Sequence, residues 1–206
     1  ISRNIAPIPE QSDAFMYAYQ DLGHKFVYLS FVSGNRTFVY DRTEGVWHEE
    51  SVRLVPSAQQ AFLPWQSVVF NDGQLLGLNR NNGEIAVISD SVYTDNGNPI
   101  VRSLKLSVIP KEASWKTYYK SVELFCEMGN TPVDKENPSV MLCVSRDRGK
   151  TFGTEMWRKT AGNGSYVCRP VWTGLGAAFG VVLWFQFVAN QYISFRGVRI
   201  EAEGNS

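Results

Sequence analysis

Net charge, cysteine, histidine and helical periodicity are all scarce in this chain of 206 residues, and each shortage closes off a class of function. Lys plus Arg equal Asp plus Glu at 20 each. No overall charge excess therefore argues for nucleic acid or for an acidic partner. The two histidines, His24 and His48, and the three cysteines, Cys126, Cys143 and Cys168, are dispersed, and no two cysteines form C-x-x-C. A zinc site is left without its usual donors. His48-Glu49-Glu50 lacks the second histidine of a zincin helix. Cys126 and Cys143 lie in strand-like runs, which favours reduced, buried thiols in a protein made in the cytosol; one disulfide stays open. No apolar run approaches the roughly 18 residues of a membrane-spanning helix. The longest, residues 177–189, is broken by Gly180 and Gln186. No signal peptide is visible. There is no Gly-x-Ser-x-Gly elbow and no phosphate-binding glycine loop. Gly174-Leu-Gly176 leads from strand to strand, so it offers no helix N-terminus to an anion. The first residue is Ile rather than Met, which suggests a piece of a longer protein.

What the chain does have is aromatic rings, 13% of residues, and strand signals bounded by turns. Lys25 to Val32 reads as a strand with Val27, Leu29 and Phe31 on one face. Turn Ser33 to Arg36 follows, then strand Thr37 to Asp41, turn Thr43 to Gly45 and strand Val46 to Glu49. The pattern repeats: Trp65 to Phe70, a hairpin turn needing positive φ at Gly73, Gln74 to Asn79, a turn at Asn81 to Gly83, and Glu84 to Ser89. Groups of this size resemble propeller blades. Asp90 to Pro99 is polar and is taken as the connection between modules. Strands are then expected at Val101–Ile109, Trp115–Met128, Ser139–Ser145, Phe152–Trp157, Tyr166–Trp172, Val181–Val188 and Tyr192–Glu201, with an exposed loop at Gly129–Pro138. Val122, Leu124 and Cys126 share a face, as do Val140, Leu142 and Val144. The expected fold is all-β: partial propeller-type antiparallel blades over residues 1–92, then a C-terminal β-sandwich over residues 100–206. The halves differ in charge. Residues 1–100 hold six Lys/Arg and eleven Asp/Glu, and residues 101–206 hold fourteen and nine. Acidic and basic faces could meet within one subunit or between neighbours in a ring.

The sharpest local motif is Ser145-Arg-Asp-Arg-Gly-Lys-Thr-Phe152, which fits the Asp-box pattern Ser-x-Asp-x-Gly-x-Thr-Phe. Asp147 can accept bonds from turn N–H groups and Gly149 can take positive φ. Ser145 and Thr151 can bond locally, and Phe152 can pack underneath. The motif is a structural turn, with no catalytic, cofactor or metal role expected for any residue. Carboxylates for glycosidic cleavage could be drawn from Glu123, Glu127 and Asp147, but exposed strand positions explain them better. Asp21 and His24 could touch, although a turn is the plainer reading. A sialidase-like site would need several Asp-boxes, a tyrosine beside a carboxylate, and a cluster drawn from arginines 146, 148, 158, 169, 196 and 199. Trp115–Lys120 and Trp157–Lys159 interleave basic and aromatic residues and could touch a nucleic-acid backbone; a solvated sheet face accounts for them more simply.

Gly23-His-Lys-Phe-Val-Tyr-Leu-Ser-Phe31, Asn35-Arg-Thr-Phe-Val-Tyr-Asp41 and Gly45-Val-Trp-His-Glu49 resemble a phage tail protein. They are similar to the closing propeller part of the packaged-DNA stabilisation proteins, the tail hubs of short-tailed bacteriophages. Gly73 to Leu78, Tyr93 to Ile100, Ser145 to Phe152, Arg169-x-x-Trp172-x-x-x-Gly176 and Gly197-Val-Arg-Ile-Glu201 follow in the same family's order. The resemblance implies the C-terminal portion of a homo-oligomeric ring, a hexamer, that seals the portal channel and holds packaged DNA. Its implied partners are a head–tail adaptor, a tail needle and tailspikes. It implies no enzyme activity, no cofactor, no membrane and at most indirect contact with DNA. The implied location is the virion tail, after synthesis in the bacterial cytoplasm. The alternative is a carbohydrate-binding or sialidase-like propeller fragment. A third is a receptor-binding tail module, for which Trp157, Trp172 and Trp184 would have to be exposed; most of them are expected to be buried.

Overall fold

The computed structural model describes residues 2–53, 60–95, 97–108, 116–128, 138–160, 167–188 and 191–204. It is all-β apart from one helical turn, and it divides into two compact units, Ile1–Ser91 and Val92–Ser206.

The first unit opens with α1 (Ser2–Ile5). Strands β1 (Phe15–Asp21), β2 (His24–Phe31), β3 (Arg36–Asp41) and β4 (Val46–Glu50) then form an antiparallel meander. The short β5 (Val52–Arg53) pairs with β6 (Gln60–Ala61). Strands β7 (Trp65–Asn71), β8 (Gln74–Asn79) and β9 (Ile85–Ile88) form a second, three-stranded meander. Two of the hairpins turn through consecutive residues with positive φ, Leu22 (46°) with Gly23 (84°) and Asp72 (47°) with Gly73 (77°). That geometry matches the twist of the flanking strands.

Strand β1 was not anticipated, yet its signal is present. Phe15, Tyr17 and Tyr19 alternate and so fall on one face. Tyr17 stacks on Tyr28 at 4.8 Å between ring centroids, and Tyr28 stacks on Tyr19 at 5.3 Å. Val39, Leu63, Val68 and Leu75 complete this core. The opposite face of the same meander buries Phe31 and Phe38 against Ile8, with Leu29 beside them. Strand β2 is therefore covered on both sides, which explains its nearly unbroken apolar run. Gly77 belongs to the packing as well, because a Cβ there would lie 2.9 Å from the Trp65 ring.

In the second unit, the polar stretch expected as a connection contains a small hairpin, β10 (Thr94–Asp95) with β11 (Asn98–Pro99). Then come β12 (Val101–Val108), β13 (Thr117–Met128), β14 (Ser139–Ser145), β15 (Met156–Lys159), β16 (Val167–Cys168), β17 (Val171–Ala178), β18 (Val181–Val188) and β19 (Ile193–Gly204). One sheet has the order β12-β18-β14-β15. The other is centred on β13, with β19 along one side and β16 followed by β17 along the other. Their inner faces form a sandwich core. Val122, Leu124 and Cys126 meet Val140, Leu142 and Val144, together with Leu183, Phe185 and Phe187. Trp172 joins the layers, its ring 5.7 Å from Phe185 and its indole N–H donating to Met156 O at 2.8 Å.

Two expected strands are corrected. Tyr166–Trp172 is not continuous. Tyr166 lies outside the described residues, and β16 and β17 are separated at Pro170, which has no N–H for the ladder. Its carbonyl still accepts from Leu124 N–H at 3.0 Å. Phe152–Trp157 becomes a strand only at Met156. Leu142 lies opposite Met156, whereas Gly153 N–H donates to Val144 O. The extra residue between these two pairings breaks the ladder. Of Ile109, Trp115 and the loop expected at Gly129–Pro138, only Pro138 is among the described residues.

The three tryptophans also separate. Trp172 is fully buried, Trp184 is half-buried, and Trp157 is 47% exposed. Only one of the three is buried, so the expectation that most are is not met; Trp157 sits on the edge strand β15 with its indole N–H donating to Glu155. Trp172→Ala is expected to destabilise the sandwich by about 3–5 kcal/mol, as large core truncations do. Trp157→Ala is expected to stay within about 1 kcal/mol, as for a surface change. Urea unfolding of the full chain measures both.

Candidate functional site

The connection between β14 and β15 holds a dense polar network. Ser145, at the end of β14, donates its hydroxyl to Asp147 Oδ1 at 2.6 Å, and its oxygen accepts from Gly149 N–H at 2.8 Å. Asp147 Oδ1 also accepts from Lys150 N–H at 3.0 Å and Thr151 N–H at 2.9 Å. Asp147 Oδ2 accepts from Thr151 N–H at 2.9 Å and from its hydroxyl at 2.6 Å. The carboxylate is the acceptor around which the turn is wound. Arg148 (φ 65°) and Gly149 (φ 89°) provide the left-handed bend that makes this possible. For a non-glycine residue that bend carries a modest steric cost. Phe152 then lies edge-on to Trp184 at 5.3 Å, and the Lys105 ammonium sits over both rings.

This geometry decides the chemistry of Asp147. The Ser145 hydroxyl, the Thr151 hydroxyl and the backbone N–H groups all bond the charged form, and they hold the carboxyl well below the usual carboxylate range. A general acid or base near neutral pH needs the opposite shift. The turn can hold shape and project Arg148 and Lys150, both exposed, from its tip.

The other candidates are engaged in structure, and they are not brought together. Glu123 pairs with Arg169 at 2.8 Å and lies 3.9 Å from Arg199, while Glu127 pairs with Arg196. Asp147 is held in its turn, so the three carboxylates form no catalytic pair. Arg146 donates to Leu175 O and Arg158 to Val171 O. No arginine cluster open to a substrate carboxylate is formed among the described residues by the six arginines considered. His24 does not bond Asp21, its register partner across the turn; its Nδ1 lies 2.6 Å from Asp41. His48 bonds Glu50 at 3.0 Å.

One arrangement went unforeseen: a tyrosine beside a carboxylate. Tyr28 donates to Glu50 at 3.5 Å, and its hydroxyl lies 2.9 Å from that of Tyr19. Burial, followed by the nearby Glu50 charge, raises the Tyr28 pKa strongly, and burial pushes Tyr19 up to about 12. Both are neutral phenols at any physiological pH, the reverse of an activated nucleophile. The alternation of rings in β1 was the available signal, but Glu50 could be placed beside them only by pairing β2, β3 and β4. An open cleft of about 520 Å³ lies nearby, lined by Tyr19, Asp21, Leu22, Phe70 and Leu75. Neither the His24–Asp41 pair nor the tyrosine–Glu50 pair contributes a residue to it.

The low Asp147 pKa has a signed consequence. Its contribution to stability is fully present above the unfolded value of about 3.9 and is lost as pH falls through the folded value. Carbon-detected NMR titration is expected to find Asp147 still ionised where exposed Asp residues are half protonated. Asp147→Asn is expected to lower stability at neutral pH and to remove this part of the acid limb.

Residues 101–203, which include the braced turn and both sheets of the sandwich, match the family model described as Bacteriophage P22 Gp10, beta-sandwich. No curated protein matches the chain.

Proposed function

The chain belongs to the bacteriophage P22 Gp10 family, which makes it a phage structural tail protein, and from that premise we propose that it is the C-terminal portion of the tail hub of a short-tailed phage or prophage. In this reading it seals the portal channel after packaging and keeps the genome inside. The observation that carries the reading is the family match over a sandwich whose candidate catalytic groups are engaged in holding its shape. Asp147 is occupied by its own turn, and Glu123 and Glu127 by ion pairs. The protein is not an enzyme in this account; its work is mechanical.

The two meanders of the first unit are read as propeller blades, since antiparallel sheets of this size gain stability by packing face to face with neighbours. The braced Ser145–Phe152 hairpin is read as an Asp-box that stiffens one end of the sandwich. Copies of the chain form a ring, with six implied by the family resemblance, and repeated weak contacts give it avidity. The acidic first half and basic second half suit contacts between neighbours. The ring would meet a head–tail adaptor, a tail needle and tailspikes, with no membrane and no direct reading of DNA. A receptor-binding role through the three tryptophans is weakened, because Trp172 is buried and Phe152 covers part of Trp184.

Three kinds of measurement test the reading. Particles assembled without the protein are expected to package DNA and then lose it. Retention of genomes in such particles overturns the hub role, and binding on a glycan array or sialidase turnover by the chain would move the function to the carbohydrate class. Assembly of the purified chain, followed by sedimentation, is expected to weaken from about 0.1 to 1 M salt, as the screening length falls from roughly 10 to 3 Å.

A further inference from the structure

Cys126 and Cys168 stand directly opposite each other on antiparallel strands β13 and β16. Both belong to the sandwich core, 2% and 5% exposed. Cys143 lies on β14 in the other sheet. It alternates with the core residues Leu142 and Val144 and is itself absent from that core. Opposed residues on antiparallel strands have Cα atoms about 4.5–5.5 Å apart. A disulfide spans about 4.4–6.8 Å. The register therefore supplies the separation without moving the backbone.

We propose that Cys126 and Cys168 form a cross-strand disulfide when the protein meets an oxidising medium, a redox-sensitive staple on the edge of the sandwich. The order of events follows from where each thiol sits. Cys126 is on the central strand, covered by β19 on its other side. Burial, then the neighbouring Cys168, pushes its thiol up to about 12, so it is not the thiol that reacts first. Cys168 lies in a two-residue strand at the sheet edge, beside Val167, which is 66% exposed, and two residues before the ladder gap at Pro170. Short edge segments open most readily.

With oxidised glutathione as the oxidant, the Cys168 thiolate attacks its S–S bond. One glutathione thiolate leaves, and a mixed disulfide remains on Cys168. The Cys126 thiolate then attacks the Cys168 sulfur and releases the second glutathione. Two protein thiols lose two protons and two electrons, and one oxidised glutathione becomes two reduced molecules. The new bond closes a long loop between β13 and β16, which restricts the unfolded chain. In a reducing cytosol the pair stays as thiols. The staple depends only on the strand register and would survive failure of the hub assignment.

The full-length folded chain is incubated with oxidised glutathione, then denatured and alkylated. The expected result is one alkylated thiol, Cys143, a mass loss of two hydrogens before alkylation, a Cys126–Cys168 peptide, and a raised Tm. Cys143→Ser is expected to behave the same way with no thiol left to alkylate. Cys126→Ser is expected to hold a glutathione adduct on Cys168, and Cys168→Ser to form neither adduct nor bridge. Three alkylated thiols after native oxidation, or a bridge that includes Cys143, overturns the proposal. An adduct trapped on Cys126 in Cys168→Ser overturns the order of attack.

Discussion

Burial of two apolar sheet faces against each other is the constraint on which the second unit depends. Strands β13 and β17 place Val122, Leu124 and Trp172 on one side of the core. Strands β14 and β18 place Val140, Leu142, Leu183, Phe185 and Phe187 on the other. Each of these eight side chains is almost fully removed from water. Apolar burial on this scale is the main favourable term in folding. The polar features are arranged at its margins: ion pairs Arg169–Glu123, Arg196–Glu127 and Lys120–Glu203, each with at least one partner exposed, and the Asp147 turn at one end. Exposed pairs of this kind contribute little stability each. They fix strand edges more than they stabilise the core.

The Asp147 turn shows how a polar motif serves an apolar core. Ser145 is the last residue of β14 and is nearly fully buried, so its hydroxyl needs partners. Asp147 and Gly149 supply them, and the return path lays Phe152 over Trp184 on the outer face of the same sheet. One carboxylate thus closes a hairpin and fixes the ring that covers a half-buried tryptophan. The bonds that make this possible also remove the carboxylate from acid–base chemistry near neutral pH.

Much of this was legible in the sequence because sheets write their faces with a period of two. The alternation Val122-Leu124-Cys126 located one core face, and Val140-Leu142-Val144 the other. The turn at Gly73 and the residues of the Asp147 turn followed from local chemistry alone. What escaped the sequence was non-local. The break at Pro170 depends on whether a proline faces its partner strand, and the delayed start of β15 depends on a one-residue slip between Gly153 and Met156. The tyrosine–Glu50 contact and the facing of Cys126 with Cys168 both required the strand order. Exposure of Trp157 depends on β15 being an edge, which no property of the residue itself reveals.

The central proposal is that this phage structural tail protein holds the tail together rather than acting on a substrate. Electron cryomicroscopy of intact particles tests it most directly. Density for the sandwich, residues 101–203, is expected to repeat around the tail axis just below the portal, with neighbouring copies in contact. A map that shows the chain only at the distal tip, or as isolated copies outside the channel, contradicts it.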